Sequence, residues 1–297
     1  LIEFYRETGT AEYLEDVVDY YRSIRDREIF VTGGSGLKDA VGEYWYEGHL
    51  RQTRTDAGGV GETCITTTYL RFCSQILRVT GDGSAADEME RTFYNALLGA
   101  MAPDGSSWGH VNPTLGCASP RTIAPDQIGQ CFGKPFDGHD CCLAQGPEGL
   151  ATAPCVAILA DDRGPVVNLY EAGQATVSLD SGAQVQLTVS GNYPDDPEVA
   201  ITLHLKGPEK FALRLRIPAW SRRTSVQVGR ETFPAEAGTY LTLERVWRDG
   251  DKVELTFDFT LQVIPAPDGG DRIALMRGPI VLAQDSRLGA VDRSVRP

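Results

Sequence analysis

The sequence lacks both an excess of positive charge and any long apolar run. Its 297 residues include 28 Lys and Arg against 41 Asp and Glu, which gives a formal net charge of −13 at pH 7. A chain this acidic is poorly suited to nucleic acid or to an anionic membrane surface. No apolar run approaches the roughly 20 residues that a membrane-spanning helix needs. The composition therefore indicates a globular protein that binds neither nucleic acid nor membrane.

The chain also lacks the cysteine spacings of the common frameworks. It has seven cysteines, an odd number, and no C-x-x-C motif. An odd count without regular spacing argues against a disulfide framework and against a thiol redox protein. Free thiols favour a reducing compartment, so we expect a cytoplasmic location. Cys73 and Cys155 lie in apolar stretches, and we expect both to be buried.

Residues 1–160 have the apolar spacing of helices joined by long loops. Apolar side chains recur at intervals of three and four over residues 12–24 and again over residues 64–79, which is the pattern of one buried helix face. Repeated helical hairpins are the unit of an α/α toroid, although two copies would equally suit a helical bundle.

Two similar helix–helix junctions occur in this helical region. Each has a Thr-Gly pair, at Gly9 and at Gly81, where a glycine can adopt the left-handed conformation that ends a helix. Thr10 and Ser84 are the candidate N-terminal caps of the helices that follow. The junctions therefore predict two helical hairpins of similar construction.

From about residue 164 the apolar period changes to two. Segments that alternate apolar and polar residues lie between Gly, Pro and Asp turns, and the last, IALMRGPIVLAQD, is predicted to be a strand pair bent at Gly278 and Pro279. This pattern predicts an antiparallel β-sandwich over residues 161–297. The expected fold class is thus an α + β multidomain chain, helical over residues 1–160 and β beyond.

Two adjacent cysteines, Cys141 and Cys142, lie in the loop-like stretch GHDCCLAQGP. Neighbouring side chains of an extended segment point to opposite faces, so both thiols reach one target only through a special turn. Upstream, GGVGETC puts Glu62 and Cys64 at the first turn of a helix, where free N–H groups favour anions and lower the pKa of a thiol. These four groups suit a tetrahedral zinc site. A vicinal disulfide and unrelated thiols are the alternatives.

A glycine-rich loop supplies a candidate acid. The stretch VTGGSGLKDAVGEYWYEGHL carries Glu43 among aromatic residues that include Trp45. Partial desolvation by aromatic rings raises the pKa of a carboxyl group toward the range useful for a general acid, and aromatic faces also stack on sugar rings. The alternative is a solvated loop glutamate whose ring neighbours face the core.

These motifs occur together in one order. The chain carries GG-x-G and GE, then ETC, then TGD, ER-x-x-YNALLGA and PDG, then CC and GP-x-GLA, and finally LRLRIPAW, W-x-x-GD-x-V and RGPIVLA. This combination covers nearly the whole chain and resembles the zinc-dependent β-L-arabinofuranosidases of glycoside hydrolase family 127 and their relatives. The resemblance implies that residues 1–160 are the C-terminal part of an (α/α)6-barrel catalytic domain, followed by a β-sandwich.

The resemblance also implies a site and a reaction. The residues that match the zinc ligands are Glu62, Cys64, Cys141 and Cys142. Cys141 matches the nucleophile and Glu43 the acid/base, with Glu47 as the competing candidate because loop lengths shift the alignment. The implied activity is that of a retaining glycoside hydrolase, which releases L-arabinofuranose or a similar sugar from a β-linked oligosaccharide or glycoside.

Three further residues are candidates for contact with the substrate or the thiols. His110, in WGHVNP, stands where many relatives carry the aromatic stretch FYVNP, and it can hydrogen-bond a sugar hydroxyl or the nucleophile. His139 lies just before the paired cysteines and can act on them from the outer shell. Trp45 is the candidate for stacking on a sugar. For the histidines, the alternative is an exposed loop position.

Two expectations concern extent and function class. Family members are longer, and this chain opens at Leu1 inside a predicted helix, so we expect a piece that begins within the barrel and ends within the β-region. A non-catalytic carbohydrate-binding or structural protein, in which zinc only staples the helices, is the alternative to an enzyme.

Overall fold

The computed structural model describes residues 1–35, 45, 61–102, 104–110, 112, 141–266 and 273–283. Within them, helices come first and β-sheets follow, as expected for an α + β chain. The helices are α1 (Ile2–Thr8), α2 (Ala11–Arg27), α3 (Thr63–Thr80), α4 (Gly83–Thr92), α5 (Leu98–Ala100), α6 (Cys142–Thr152) and α7 (Pro154–Ala157), and a π-helical turn (Phe93–Leu97) joins α4 to α5. No helix in these ranges has the length and apolar character needed to cross a membrane.

The two helices that apolar spacing predicts are present as α2 and α3. Val17, Tyr21 and Ile24 are buried on α2, and Tyr69 and Ile76 are buried on α3. These side chains form one core with residues of α4 and α7. Burial of one face at a period of 3.6 residues is thus what holds the helical region together.

The glycine ends of α1 and α3 are confirmed, whereas one predicted cap is wrong. Gly9 and Gly81 are left-handed, with φ of 68° and 69°. The N-cap of α4 is Asp82, the residue directly after Gly81, and not Ser84. The Asp82 carboxylate accepts a hydrogen bond from the Ser84 N–H at 2.9 Å. Thr10 occupies the N-cap of α2, but its side chain makes no capping hydrogen bond.

Of the two cysteines predicted to be buried, one is and one is not. Cys73 is fully buried in the helical core, and burial raises the pKa of its thiol. Cys155 is exposed. It lies on the short α7, where Val156 is the buried residue. The apolar character of the stretch therefore did not predict which of its side chains are buried.

The described residues of the β-region form strands of three to eight residues in three sheets. The strands are β1 (Ile158–Asp161), β2 (Gly164–Val167), β3 (Gly173–Ser178), β4 (Gln184–Gly191), β5 (Glu198–Leu205), β6 (Glu209–Arg216), β7 (Ser225–Val228), β8 (Glu231–Phe233), β9 (Tyr240–Trp247), β10 (Lys252–Thr256), β11 (Gln262–Pro265), β12 (Ile273–Arg277) and β13 (Ile280–Leu282). Their orders are β1-β2-β6-β9, β3-β4-β5-β10-β7-β8 and β11-β12-β13.

The first two sheets share one hydrophobic core, which includes Leu187 from one sheet and Leu213 and Trp247 from the other. Antiparallel pairing, as predicted, holds between the described strands with one exception: β2 pairs with β6 in parallel. Between β2 and β6 the chain forms β3, β4 and β5 of the other sheet. It then re-enters the first sheet as β6, which runs in the same direction as β2. The predicted bend between β12 and β13 is confirmed at Gly278, whose φ is 57°.

A buried arginine joins the helices to the sheets. Arg216, at the end of β6, is 1% exposed, contacts Asp87, and places Nη2 2.7 Å from Oε1 of Glu90 on α4. Glu90 also accepts hydrogen bonds from the Tyr193 hydroxyl at 2.5 Å and the Trp220 indole N–H at 2.9 Å. Each oxygen of the Glu90 carboxylate therefore has a donor, as a buried charge requires.

An asparagine side chain makes a second contact between the helices and the sheets. Asn95, in the π-helical turn, donates from Nδ2 to the Pro279 carbonyl at 2.9 Å and accepts the Val281 N–H on Oδ1 at 2.7 Å. The side-chain amide thereby satisfies backbone groups at the edge strand β13. The motifs YNALLGA and RGPIVLA, which are far apart in sequence, are thus in direct contact.

We predict that Arg216→Met lowers the free energy of unfolding by about 3–5 kcal/mol, because Glu90 is left as a buried charge without a cation. Urea unfolding measures this change. Arg216→Met/Glu90→Gln should recover part of the loss, and Arg222→Met, at an exposed position, should stay within about 0.5 kcal/mol of wild type. Equal stability of the Arg216 and Arg222 variants would contradict a structural role for the buried ion pair.

Candidate metal centre

Four potential metal ligands converge between the N-termini of α3 and α6. They are Glu62, Cys64, Cys141 and Cys142, and one ligand atom from each lies within 4.8 Å of all the others. The Cys64 sulfur is 3.1 Å from that of Cys141 and 3.3 Å from that of Cys142. The four residues that the family resemblance named as ligands therefore lie together in the structure.

The adjacent cysteines reach one target because they begin a helix. Cys141 is the N-cap of α6, with φ −55° and ψ −31°, and Cys142 is its first residue. Successive side chains on helical backbone are about 100° apart around the axis, not on opposite faces. Both sulfurs thus approach Cys64 from unstrained backbone. The expectation of a special turn is wrong, because it assumed an extended segment.

The start of α3 is fixed by the segment around His110. The Thr63 N–H donates to the His110 carbonyl at 3.1 Å, and the Thr63 hydroxyl donates to the Gly109 carbonyl at 2.6 Å. The Asn112 N–H donates to the Gly61 carbonyl at 3.0 Å. At Gly61, where φ is 56°, a Cβ would lie 2.3 Å from the Asn112 carbonyl oxygen. Glycine at this position therefore permits the close backbone pairing of Gly61 with Asn112, which places Glu62 beside His110.

Small residues let α6 approach α3. The Thr67 hydroxyl donates to the Gln145 carbonyl at 2.8 Å, which ties the two helices together one turn beyond the thiols. A Cβ at Gly149 would lie 2.9 Å from Thr67 Oγ1 of α3 and 2.8 Å from a Leu97 methyl, and one at Gly146 would lie 2.1 Å from the Trp108 ring. The GP-x-GLA motif is therefore a packing surface that brings the paired cysteines to Cys64.

Glu62 is the residue that most needs a cation. It is fully buried, and within the described residues neither carboxylate oxygen has a hydrogen-bond partner. Although Glu62 is the N-cap of α3, its side chain makes no capping hydrogen bond. Its Oε1 lies 3.4 Å from Nε2 of His110, a contact too long for an ordinary hydrogen bond. A buried carboxylate of this kind is costly unless a cation or a metal compensates its charge.

The three thiols differ in exposure. Cys142 is buried, Cys64 is half-buried and Cys141 is exposed. The hydrogen bond with Cys142 holds the pKa of the Cys64 thiol below its ordinary value, against the opposing effect of burial. Three thiols beside a carboxylate form a donor set for a thiophilic metal ion. The residues present thus fit a metal.

Of the other predicted site residues, two lie within the described residues and three do not. His110 lies beside the cluster, where its ring contacts Glu62, a partner that the sequence did not suggest. Trp45 donates its indole N–H to Ser35 Oγ at 2.9 Å and packs its ring edge-on against Tyr69. A role for Trp45 in stacking on substrate stays a prediction. The candidates that lie outside the described residues are Glu43, Glu47 and His139.

Helices that carry a carboxylate and three thiols at one point, followed by sheets, define an α + β protein with a candidate metal site. Residues 1–154 match the family model of the β-L-arabinofuranosidase GH127 catalytic domain, and residues 165–259 match that of the GH127 middle domain. The chain belongs to glycoside hydrolase family 127.

Similar proteins include enzymes of that family. The non-reducing end β-L-arabinofuranosidase of Bifidobacterium longum subsp. longum is 25% identical over 289 residues, which are 93% of this chain and 42% of that protein. A GH127 β-L-arabinofuranosidase from Geobacillus stearothermophilus T6 is 28% identical with a TM-score of 0.73, over 87% of this chain and 41% of that one. A GH127 β-arabinofuranosidase structure, 23% identical, shares the fold with a TM-score of 0.79 over 94% of this chain and 45% of that one. The chain spans less than half the length of each.

We predict that Gly146→Ala weakens metal binding several-fold and lowers the free energy of unfolding by about 1–3 kcal/mol, because the added Cβ pushes α6 away from Trp108. Chelator competition and urea unfolding measure the two effects. Gly173→Ala is the matched control, since a Cβ there meets no atom within 4 Å. Metal affinity equal to wild type in Gly146→Ala would show that the α6 contact does not position the cysteines.

Proposed function

We propose that this chain carries the reactive site of a retaining glycoside hydrolase that releases L-arabinofuranose, or a similar sugar, from β-linked glycosides. The observation that carries the proposal is the convergence of Glu62, Cys64, Cys141 and Cys142 within 4.8 Å. Membership of the family supports the reaction class. The names of the relatives in Bifidobacterium longum and Geobacillus stearothermophilus support the sugar.

The metal proposed for this site is zinc. Three thiolates and one carboxylate are a four-ligand set typical of zinc, which binds sulfur and oxygen donors in tetrahedral sites. When bound, zinc offsets the negative charge of its ligands and so keeps the thiols deprotonated at neutral pH. The buried Glu62 carboxylate, which has no hydrogen-bond partner among the described residues, supports a cation at this point.

The proposed nucleophile is Cys141, and its exposure supports this role, because Cys142 is buried and Cys64 is half-buried. Its thiolate attacks the anomeric carbon, and Glu43 donates a proton to the departing glycosidic oxygen, so a glycosyl thioether forms. Glu43 then takes a proton from water, the oxygen of which displaces the sulfur and regenerates the thiolate. Two displacements at one carbon retain its configuration. Glu47 is the competing candidate for the acid/base role.

We also propose that residues 1–160 are the C-terminal part of an (α/α)6-barrel catalytic domain and that residues 161–297 form a β-sandwich domain. The match of residues 1–154 to a catalytic-domain family model supports the first part. Two sheets around a common hydrophobic core support the second. The exposed Cys141 thiol favours a reducing compartment, and therefore the cytoplasm.

A structural zinc site in a non-catalytic carbohydrate-binding protein is the second candidate function. Four protein ligands close the tetrahedral shell of an ion, as they do in structural sites. The exposure of Cys141 favours the catalytic candidate, because a thiol that acts as a nucleophile must be accessible to the substrate.

We predict about one zinc per wild-type chain, its loss in Cys142→Ser, and its retention in Glu43→Gln. Elemental analysis of the purified chains measures the metal. Hydrolysis of an aryl β-L-arabinofuranoside should fall about 100- to 10,000-fold in Glu43→Gln, because the acid/base is removed, and at least as far in Cys141→Ser. Zinc in a wild-type chain that hydrolyses no furanoside would favour the structural candidate, and a folded chain without zinc would contradict both.

A further inference from the structure

We propose that His110 is a positioning residue that holds the Glu62 carboxylate toward the three thiols. The inference rests on the proposed zinc site and assigns to a particular side chain the orientation of its carboxylate ligand. The contact that carries it joins Nε2 of His110 to Oε1 of Glu62 at 3.4 Å, between side chains that are 17% and 1% exposed. Both groups are thus largely removed from water, where an electrostatic contact is stronger.

The Glu62 carboxylate depends on this contact, since within the described part of the chain neither of its oxygens accepts a hydrogen bond. A carboxylate held on one oxygen keeps the other oxygen available for a metal. Ligating carboxylates are in general hydrogen-bonded by an outer group that fixes their orientation. Here Nε2 of His110 lies 3.4 Å from Oε1, so an N–H on this nitrogen acts on the carboxylate through its dipole rather than through an ordinary hydrogen bond.

Backbone hydrogen bonds hold the two side chains in register. The residue after Glu62, Thr63, donates its N–H to the His110 carbonyl at 3.1 Å, and the residue before it, Gly61, accepts the Asn112 N–H at 3.0 Å. Glu62 itself donates its N–H to the Ser35 carbonyl at 3.1 Å. The main chain is therefore fixed on both sides of Glu62. The imidazole consequently reaches the carboxylate from a defined position.

The test compares two variants that differ in the side-chain N–H. His110→Phe keeps a planar ring and removes the donor, and His110→Gln carries an amide N–H at a similar reach from the backbone. His204→Phe is the matched control, because His204 lies on β5 with its side chain 45% exposed. Chelator competition measures the zinc dissociation constant of each chain. The visible spectrum of the cobalt-loaded protein reports the ligand geometry, and the melting temperature without metal reports folding.

We expect His110→Phe to bind zinc about 10- to 100-fold more weakly and to change the cobalt spectrum, with a melting temperature near that of wild type. His110→Gln should bind zinc within a few-fold of wild type, and His204→Phe should match it. If His110→Phe does not fold, His110→Leu takes its place against His110→Gln. A donor-free variant with wild-type affinity and spectrum would overturn the role of His110 alone, whereas a wild-type chain that binds no zinc would overturn the zinc site as well.

Discussion

The structure depends on the close approach of one carboxyl group and three thiols between the N-termini of α3 and α6. Glu62 is buried without a hydrogen-bond partner in the described residues, and the Cys64 sulfur lies 3.1 and 3.3 Å from two others. When such groups are ionised, negative charges at this separation repel one another, most strongly where water is excluded. The packing of α6 on α3 nevertheless forces them together. The fold thereby creates, at one point, a requirement for positive charge that the proposed metal ion would meet, and the exposed Cys141 is the thiol that the proposed reaction uses.

The sheets support the helices that carry this site. Val281 of β13 bonds to Asn95 of the π-helical turn, and the next residue, Ala96, accepts a hydrogen bond from the Asn112 side chain at 2.8 Å. Asn112 in turn pairs with Gly61, beside Glu62. A continuous series of contacts therefore leads from an edge strand to the metal centre. Together with the ion pair of Arg216, on β6, with Glu90, on α4, these contacts explain why motifs in the β-region accompany motifs of the helical site.

Local patterns in the sequence predicted what local physics determines. Apolar spacing gave α2 and α3, left-handed glycines gave the helix ends, and motif order gave the family. The strands β7 and β8 have only four and three residues, too few alternations for spacing alone to define them, and the parallel pairing of β2 with β6 depends on a distant crossover. The loop-like composition around Cys141 concealed a helix start. The contact of His110 with Glu62 depends on tertiary pairing, which no spacing reveals.

The most direct test of the central claim is the X-ray absorption spectrum of the zinc-loaded chain at the zinc K-edge. The account predicts a first shell of three sulfur atoms at about 2.3 Å and one lighter atom at about 2.0–2.2 Å, because three cysteines and one glutamate are the proposed ligands. A first shell of nitrogen and oxygen atoms alone would contradict the account.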